Sequence, residues 1–312
     1  MKRSIFLAVL MSGLALGASA QEQQPPQPAQ QQAAATPENA VENVIVTEPR
    51  LRSEEALKKF VVTHAAATPF LGKIARWKTG ICPITVGLPP KLDLYISQRI
   101  LRVALAAGAP LATSEPCHPN IAVLATPEPQ KLLDFVRTKR PGLLGFHYRP
   151  QAERIATMKL AVQAWYSTAT EDFYGFISGD LPNYRLFGSQ DTTPGPYYHS
   201  SGSRLGDGLK SEFTAAIIVV DINKIGGQEI GPLSDYIAML AISQGQSYDA
   251  CQSVPTITNL MAPDCAADMK PAAITDVDMT YLRGLYRMRA DGSYFAQRGS
   301  IAFEMKKDLG GY

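Results

Sequence analysis

Residues 82–126 restrict the possible fold more than any other stretch of the chain. "CPITVGL" (82–88) is rich in β-formers and is stopped by Gly87 and Pro89-Pro90. "LYISQRILRVALAAGAP" (94–110) then repeats apolar residues at helical spacing, with Ile96, Ile100, Val103 and Ala107 on one face and Gln98, Arg99 and Arg102 on the other. Gly108 and Pro110 end that helix. "NIAVLAT" (120–126) is a second strand. Strands joined by a helix pair in parallel through a right-handed crossover. Parallel neighbours start at one sheet edge, about 4.8 Å apart. Cys82 heads the first strand and Cys117 lies just before the second, so the two come within disulfide reach. Four cysteines allow three pairings. This topology selects Cys82–Cys117 and leaves Cys251 and Cys265 to close a later loop. Zinc ligation would want a C-x-x-C spacing, which the chain lacks.

Paired cysteines suit an oxidising compartment, and the first residues point the same way. Lys2 and Arg3 form a basic start, Ile5 to Leu16 an apolar core, and Ala18-Ser19-Ala20 a small-x-small cleavage site. That is the pattern of a secretory signal cut after Ala20. The apolar core is too short for a membrane span, which needs about 20 residues. A periplasmic or secreted chain is expected. The whole sequence carries 30 Lys+Arg and 28 Asp+Glu, and loss of Lys2 and Arg3 with the signal balances them. Balanced charge argues against a nucleic-acid partner, which needs a concentrated basic face. Residues 21–45 open with Gln, Pro and Ala and hold few large apolar side chains, so they read as a disordered linker. Residues 46–312 then form a single domain.

Within that domain "RSEEALKKFVVTHA" (52–65) reads as a helix capped by Ser53. A further helix starts at Pro127 with Thr126 as its cap, carrying Leu132, Leu133, Phe135 and Val136. "MKLAVQAWYSTAT" (158–170) is a strand and "EFTAAIIVVDI" (212–222) an apolar central one. "LSDYIAMLAISQ" (233–244) is an amphipathic helix with Leu233, Ile237, Leu240 and Ala241 toward the core. Asp235 falls in its first turn, where the helix dipole favours a carboxylate, so Asp235→Asn is expected to affect folding little. "DVDMTYLRGLYRMR" (276–289) is helical, and "SYFAQRGSIAFEMKKDL" (293–309) reads as a final hairpin or a strand and tail. The class is α+β: a mixed sheet with an N-terminal βαβ unit and packed helices.

No complete catalytic set is visible. The histidines are His64, His118, His147 and His199, and no two stand four apart as a helical zinc pair requires. "HSSGSRLGDG" (199–208) contains Ser201 and Ser203 but not the G-x-S-x-G of a nucleophile elbow. Gly202, Gly206 and Gly208 lack the Lys-Ser/Thr of a phosphate loop. Asp221, Asn223 and Gly226 briefly suggest a calcium loop, which Ile225 and Pro232 spoil. Glu171, Asp172, Glu212, Asp221 and Asp235 are the candidate acids for paired-carboxylate chemistry.

The order of elements resembles the zincin-like metallopeptidase fold, and in particular a group of exported bacterial proteins of unknown role built on it. Residues 82–126 would be its early unit and 233–244 its active-site helix. "PTITNLM" (255–261) resembles the methionine turn beneath the metal, and "DMTYLRGLYR" (278–287) the closing helix. The H-E-x-x-H motif is absent, so no metal ligand and no general base carries over. The resemblance implies a metal-free, cofactor-free relative: a periplasmic, non-catalytic binding or scaffold protein. Its former substrate cleft would hold a peptide or an envelope protein. The competing class is a hydrolase whose site draws acids and His199 from residues 171–212.

Deleting residues 21–40 should leave the thermal unfolding midpoint almost unchanged, because such a composition cannot bury enough apolar surface to offset its chain entropy. Thermal unfolding of the full and shortened mature chains measures this, and a large drop would show that the segment packs.

Overall fold

The computed structural model describes residues 54–310 apart from 115, 146–148, 181–197, 202, 204–205, 246–247 and 249. The expected signal, the linker, the Ser53 cap and His147 lie outside the described residues. The elements run α1 (Glu54–His64), β1 (Pro83–Val86), α2 (Pro90–Ala107), β2 (Ile121–Thr126), α3 (Pro129–Lys139), α4 (Arg149–Ile155), β3 (Val162–Glu171), β4 (Ile177–Gly179), β5 (Lys210–Asp221), α5 (Ile230–Ile242), α6 (Asp276–Arg287) and α7 (Tyr294–Asp308). The class is α+β, and the sheet order is β1-β2-β5-β3-β4.

The early unit forms as its sequence demands. β1 pairs with β2 in parallel, Pro83 opposite Ile121, and β2 pairs in parallel with the central strand β5. Asn120 pins the shared edge: its side chain accepts from the Cys82 N–H at 2.8 Å and donates to the Gly80 carbonyl at 2.9 Å. The Cys82–Cys117 bridge closes there, with Cα atoms 6.1 Å apart, and Cys251–Cys265 closes the later loop at 5.0 Å. Gly87 turns the chain out of β1 at φ +106°, where any Cβ would stand 1.9 Å from the Ala125 carbonyl oxygen. Only glycine fits.

Alternation along the strands sorts side chains onto two faces. Ile121 and Val123 of β2 and Ala216, Ile218 and Val220 of β5 meet the main core of α1, α2, α5, α6 and α7. Trp165 of β3 and Val219 of β5 face the other way, onto Leu133, Val136 and Leu144. β3 lies antiparallel to β5 and β4 antiparallel to β3.

Three expectations are corrected. α3 begins at Pro129 rather than Pro127, because the Thr126 hydroxyl accepts the Glu128 N–H at 3.1 Å and completes a turn first. Phe135 consequently faces solvent. Residues 294–308 form a helix, not a hairpin or a strand. Ser293 caps it, accepting the Ala296 N–H, and a buried stripe of Gln297, Ile301 and Met305 holds it in place. The absence of a Cβ at Gly284 of α6 lets the two helices approach, since a Cβ there would lie 3.1 Å from the Ile301 carbonyl oxygen. α5 is not amphipathic: every residue from Pro232 to Ile242 is buried.

That burial changes the reading of Asp235. It sits beyond the first turn, 2 % exposed, and receives Nε–H and Nη2–H of Arg99 together with the Ile274 N–H at 2.8 Å. Arg99 therefore turns inward from α2 rather than lying on a free polar face. The last carbonyls of α5 are likewise supplied from outside. Tyr166 donates to Leu240 O at 2.7 Å, Trp77 Nε1 to Ala241 O at 2.9 Å, and Tyr286 to Ile242 O at 3.0 Å. Buried helix termini need such partners.

His64, the last residue of α1, is fully enclosed. Its Nδ1 lies 2.9 Å from the Phe60 carbonyl, which can only accept, so Nδ1 carries the proton and Nε2 accepts from the Thr258 hydroxyl at 2.9 Å. Thr258 contacts Thr256 at 3.0 Å, and Thr256 bonds Asp278, the capping-box residue of α6. Burial pushes the imidazole down to about 4, opposed by its bond to Phe60.

Asp235→Ala should cost about 3–5 kcal/mol in urea unfolding, since it strands Arg99 beside the core. Ile237→Ala should cost about 2–5 kcal/mol. Because folded His64 takes a proton only near pH 4 while the unfolded ring takes it near 6.5, its contribution to stability is full above 6.5 and falls as pH drops through that window. Proton NMR should show a neutral His64 ring down to about pH 4.

Candidate functional site

The antiparallel register of β3 and β5 gathers charge at one end of the sheet. Glu171 stands opposite Lys210, and Ala169 opposite Glu212. Cross-strand partners share a face and every second residue returns to it, so Glu171, Lys210 and Glu212 lie on one side. The segment before β1 completes the cluster. Arg76 bridges to Glu212 in parallel, the Phe213 N–H donates to Arg76 O at 3.1 Å, and Lys78 reaches Glu171. Arg76 is held in turn by the closing carbonyls of α6, with its Nη1 2.6 Å from Tyr286 O and 3.0 Å from Met288 O. A cation suits the negative end of a helix. Together these groups and Arg289 line an open cleft of about 460 Å³.

The pKa values of the two cleft carboxyls are pushed in opposite directions. Burial works to raise the pKa of Glu171, but Lys78 on Oε2 and Lys210 on Oε1 at 3.1 Å outweigh it and hold the group below its usual range. Glu212 is 3 % exposed, and its Oε2 is sealed from solvent with no hydrogen-bond partner. Burial raises its pKa above the usual value, and of its charged neighbours Lys78 and Lys210 lower it while Glu171 and Asp180 raise it. An unpartnered buried oxygen is costly, and more so when charged. The arrangement is therefore one carboxylate clamped by two lysines beside one carboxyl whose pKa burial raises.

The other candidate acids are not brought into the cleft. Asp172 follows Glu171 but belongs to the β3–β4 turn, where it accepts the N–H groups of Tyr174 and Phe176 at 2.9 Å and His199 Nδ1–H at 2.7 Å. Burial would raise Asp172, yet these bonds, His199 foremost, hold it below the usual range. His199 is exposed among Tyr174 and Phe176 and does not line the cleft. Asp221 lies at the far end of β5, closing a turn with Asn223, and Asp235 lies in the core. Ser201 donates to Gly206 O at 2.8 Å, and Ser203 is exposed. His118 is exposed in the first disulfide loop. Among the described residues, no three His, Cys, Asp or Glu side chains gather closely enough to hold a metal ion. The residues of α5 from Pro232 to Ile242 are all buried and none of them lines the cleft.

Lys78 and Lys210 are absent from the sequence-based candidates. Lys210 was findable, two residues before Glu212 at the start of an apolar strand. Lys78 was not, because its approach depends on a bridge across 136 positions. Comparison with protein-family models, curated proteins and solved structures returns no match.

A raised carboxyl pKa means that the folded state holds its proton longer than the unfolded one. Glu212 therefore contributes stability at low pH that is lost as pH rises above the usual glutamate value of 4.5 and through its folded pKa. Glu212→Gln should preserve or raise stability at pH 7 and flatten this decline, as read from urea midpoints across the pH range.

Proposed function

We propose that this chain is an exported, non-catalytic binding or scaffold protein, on a zincin-like frame whose former metal helix is purely structural, and that its ligand enters the Glu171–Glu212 cleft. The observation that carries this reading is Glu171, clamped by two lysines, beside the buried and partly unpartnered Glu212. When protonated, the Glu212 carboxyl both donates and accepts, and it then suits a ligand hydroxyl or amide. Lys78 and Lys210 have further N–H donors for a ligand carboxylate or carbonyl. A peptide end or a glycan segment presents both kinds of group. The strand–helix–strand start, α5 directly after β5, and the short 3-10 turn Ile257–Met261 ahead of α6 support the frame.

The hydrolase reading draws on the same two carboxyls, because opposed pKa values mark acid and base pairs. Two features favour binding. Both Glu171 oxygens are occupied by lysines, so it is poorly placed as nucleophile or base. The His199–Asp172 pair stands outside the cleft.

Thermal shift of the mature protein with short peptides and with chito-oligosaccharides tests this. A bound ligand at 100 times its Kd stabilises by about 2.7 kcal/mol. A member of one set should raise the wild-type midpoint and lose its effect in Glu212→Ala and Lys210→Met. No shift with either set, or the same shift in the variants, overturns the proposal. Turnover of a probe that disappears in Glu212→Gln would make the protein a hydrolase instead.

A further inference from the structure

Among the described residues no carboxylate pairs with Arg76, although its guanidinium is partly buried in the wall of the cleft. Nη1 is spent on carbonyls at the end of α6, Tyr286 O at 2.6 Å and Met288 O at 3.0 Å. Nε and Nη2 bond to no described residue, and both keep contact with solvent. Burial lowers the guanidinium pKa, and of the ionisable groups around it only Tyr286 works the other way. The carbonyl end of α6 offsets part of the cost of this charge. A counter-ion would offset far more.

Two other arginines show what the same edge fits. Arg99 holds Asp235 through Nε and Nη2, and Arg289 holds Asp291 through Nε at 2.6 Å and Nη2 at 3.0 Å. This side-on fork matches the two oxygens of a carboxylate. The surroundings favour an anion as well. Arg289 is balanced by Asp291, so the balance of the cleft is Arg76, Lys78 and Lys210 against Glu171 and Glu212. Hydrogen-bonding capacity then narrows the ligand. Lys78 and Lys210 each spend one N–H on Glu171 and keep the rest. On the acceptor side, Glu171 has both oxygens taken and Glu212 has one sealed away. Such a cleft is short of acceptors for the hydroxyl hydrogens that a glycan brings with most of its oxygens. A peptide end brings a carboxylate and carbonyls, which accept and carry no hydrogen.

We propose that Arg76 is the anchor of the cleft and that its ligand is a peptide held by a free C-terminal carboxylate. The carboxylate lies side-on across Nε–H and Nη2–H of Arg76, and the last peptide carbonyl takes a spare N–H of Lys78 or Lys210. The anchor rests on the cleft being a binding site and narrows what it binds.

Fluorescence anisotropy with the full mature chain tests this, using a pool of random hexapeptides labelled at the N-terminus. One version of the pool ends in a free carboxylate and its twin in a carboxamide. The free-ended pool should bind, and the amidated twin at least about tenfold more weakly, since it loses a bidentate charged contact. Arg76→Lys keeps the charge and loses the fork. It should bring the free-ended pool close to the level of the amidated one and leave the amidated pool unchanged. Lys210→Met should weaken both pools, which ties them to this cleft. Amidation alters only the ligand, so that comparison stands whether or not a variant folds. Equal binding of the two pools by the wild type overturns the proposal and leaves the cleft a peptide site of another kind. Free-ended binding that a folded Arg76→Lys leaves unchanged also overturns it. If chito-oligosaccharides raise the unfolding midpoint and neither pool binds, the anchor fails and the binding reading stands. If neither pool binds and no chito-oligosaccharide acts, both fall.

Discussion

A helix with no face to water must have its end carbonyls and any buried charge met by other parts of the chain, and α5 is such a helix. Its terminal carbonyls are met by a strand tyrosine, Tyr166, a tryptophan before β1, Trp77, and an α6 tyrosine, Tyr286. Asp235 is met by Arg99 of α2 and by the backbone ahead of α6. Each partner comes from a different part of the chain. The geometry of the sheet, of α2 and of α6 relative to α5 is thereby set by bonds that have no water substitute. Apolar packing alone would hold these elements together with less positional discrimination.

The same helix shows why the sequence was legible only in part. Its existence and its place after β5 follow from an apolar run behind a strand. Its burial on all sides does not, because Leu233, Ile237, Leu240 and Ala241 already make an acceptable single face. Asp235 on that pattern looks like a surface acid until α2 is packed against it. The β1–α2–β2 unit was readable because its signals are local: apolar spacing, a glycine stop and two cysteines at one edge. α7 was misread for the opposite reason. Gly299 and the aromatic residues around it weaken the helical pattern, and what holds the segment helical is its cap and its contact with Gly284, a tertiary fact. Glu171 and Glu212 were both among the candidate acids, yet nothing in their spacing says that they share a cleft while the adjacent Asp172 does not. Strand alternation makes that separation, once the register is known.

The cleft and the α5 end are built on shared parts. Trp77 caps α5 while its neighbours Arg76 and Lys78 serve the cleft, and Tyr286 offers its hydroxyl to α5 and its carbonyl to Arg76. Small displacements of residues 76–78 would therefore be felt at both places. Rigid support of this kind suits a binding site whose polar groups must be held at fixed positions.

The two disulfides join the first cysteine to the second and the third to the fourth, so their loops neither nest nor cross. A chain threaded N-terminus first into an oxidising space presents each thiol's correct partner before the next one arrives. Oxidation in order of emergence then yields the native set directly, and a disulfide isomerase has nothing to correct. Were this chain exported in that way, its maturation would be limited by oxidant supply rather than by reshuffling.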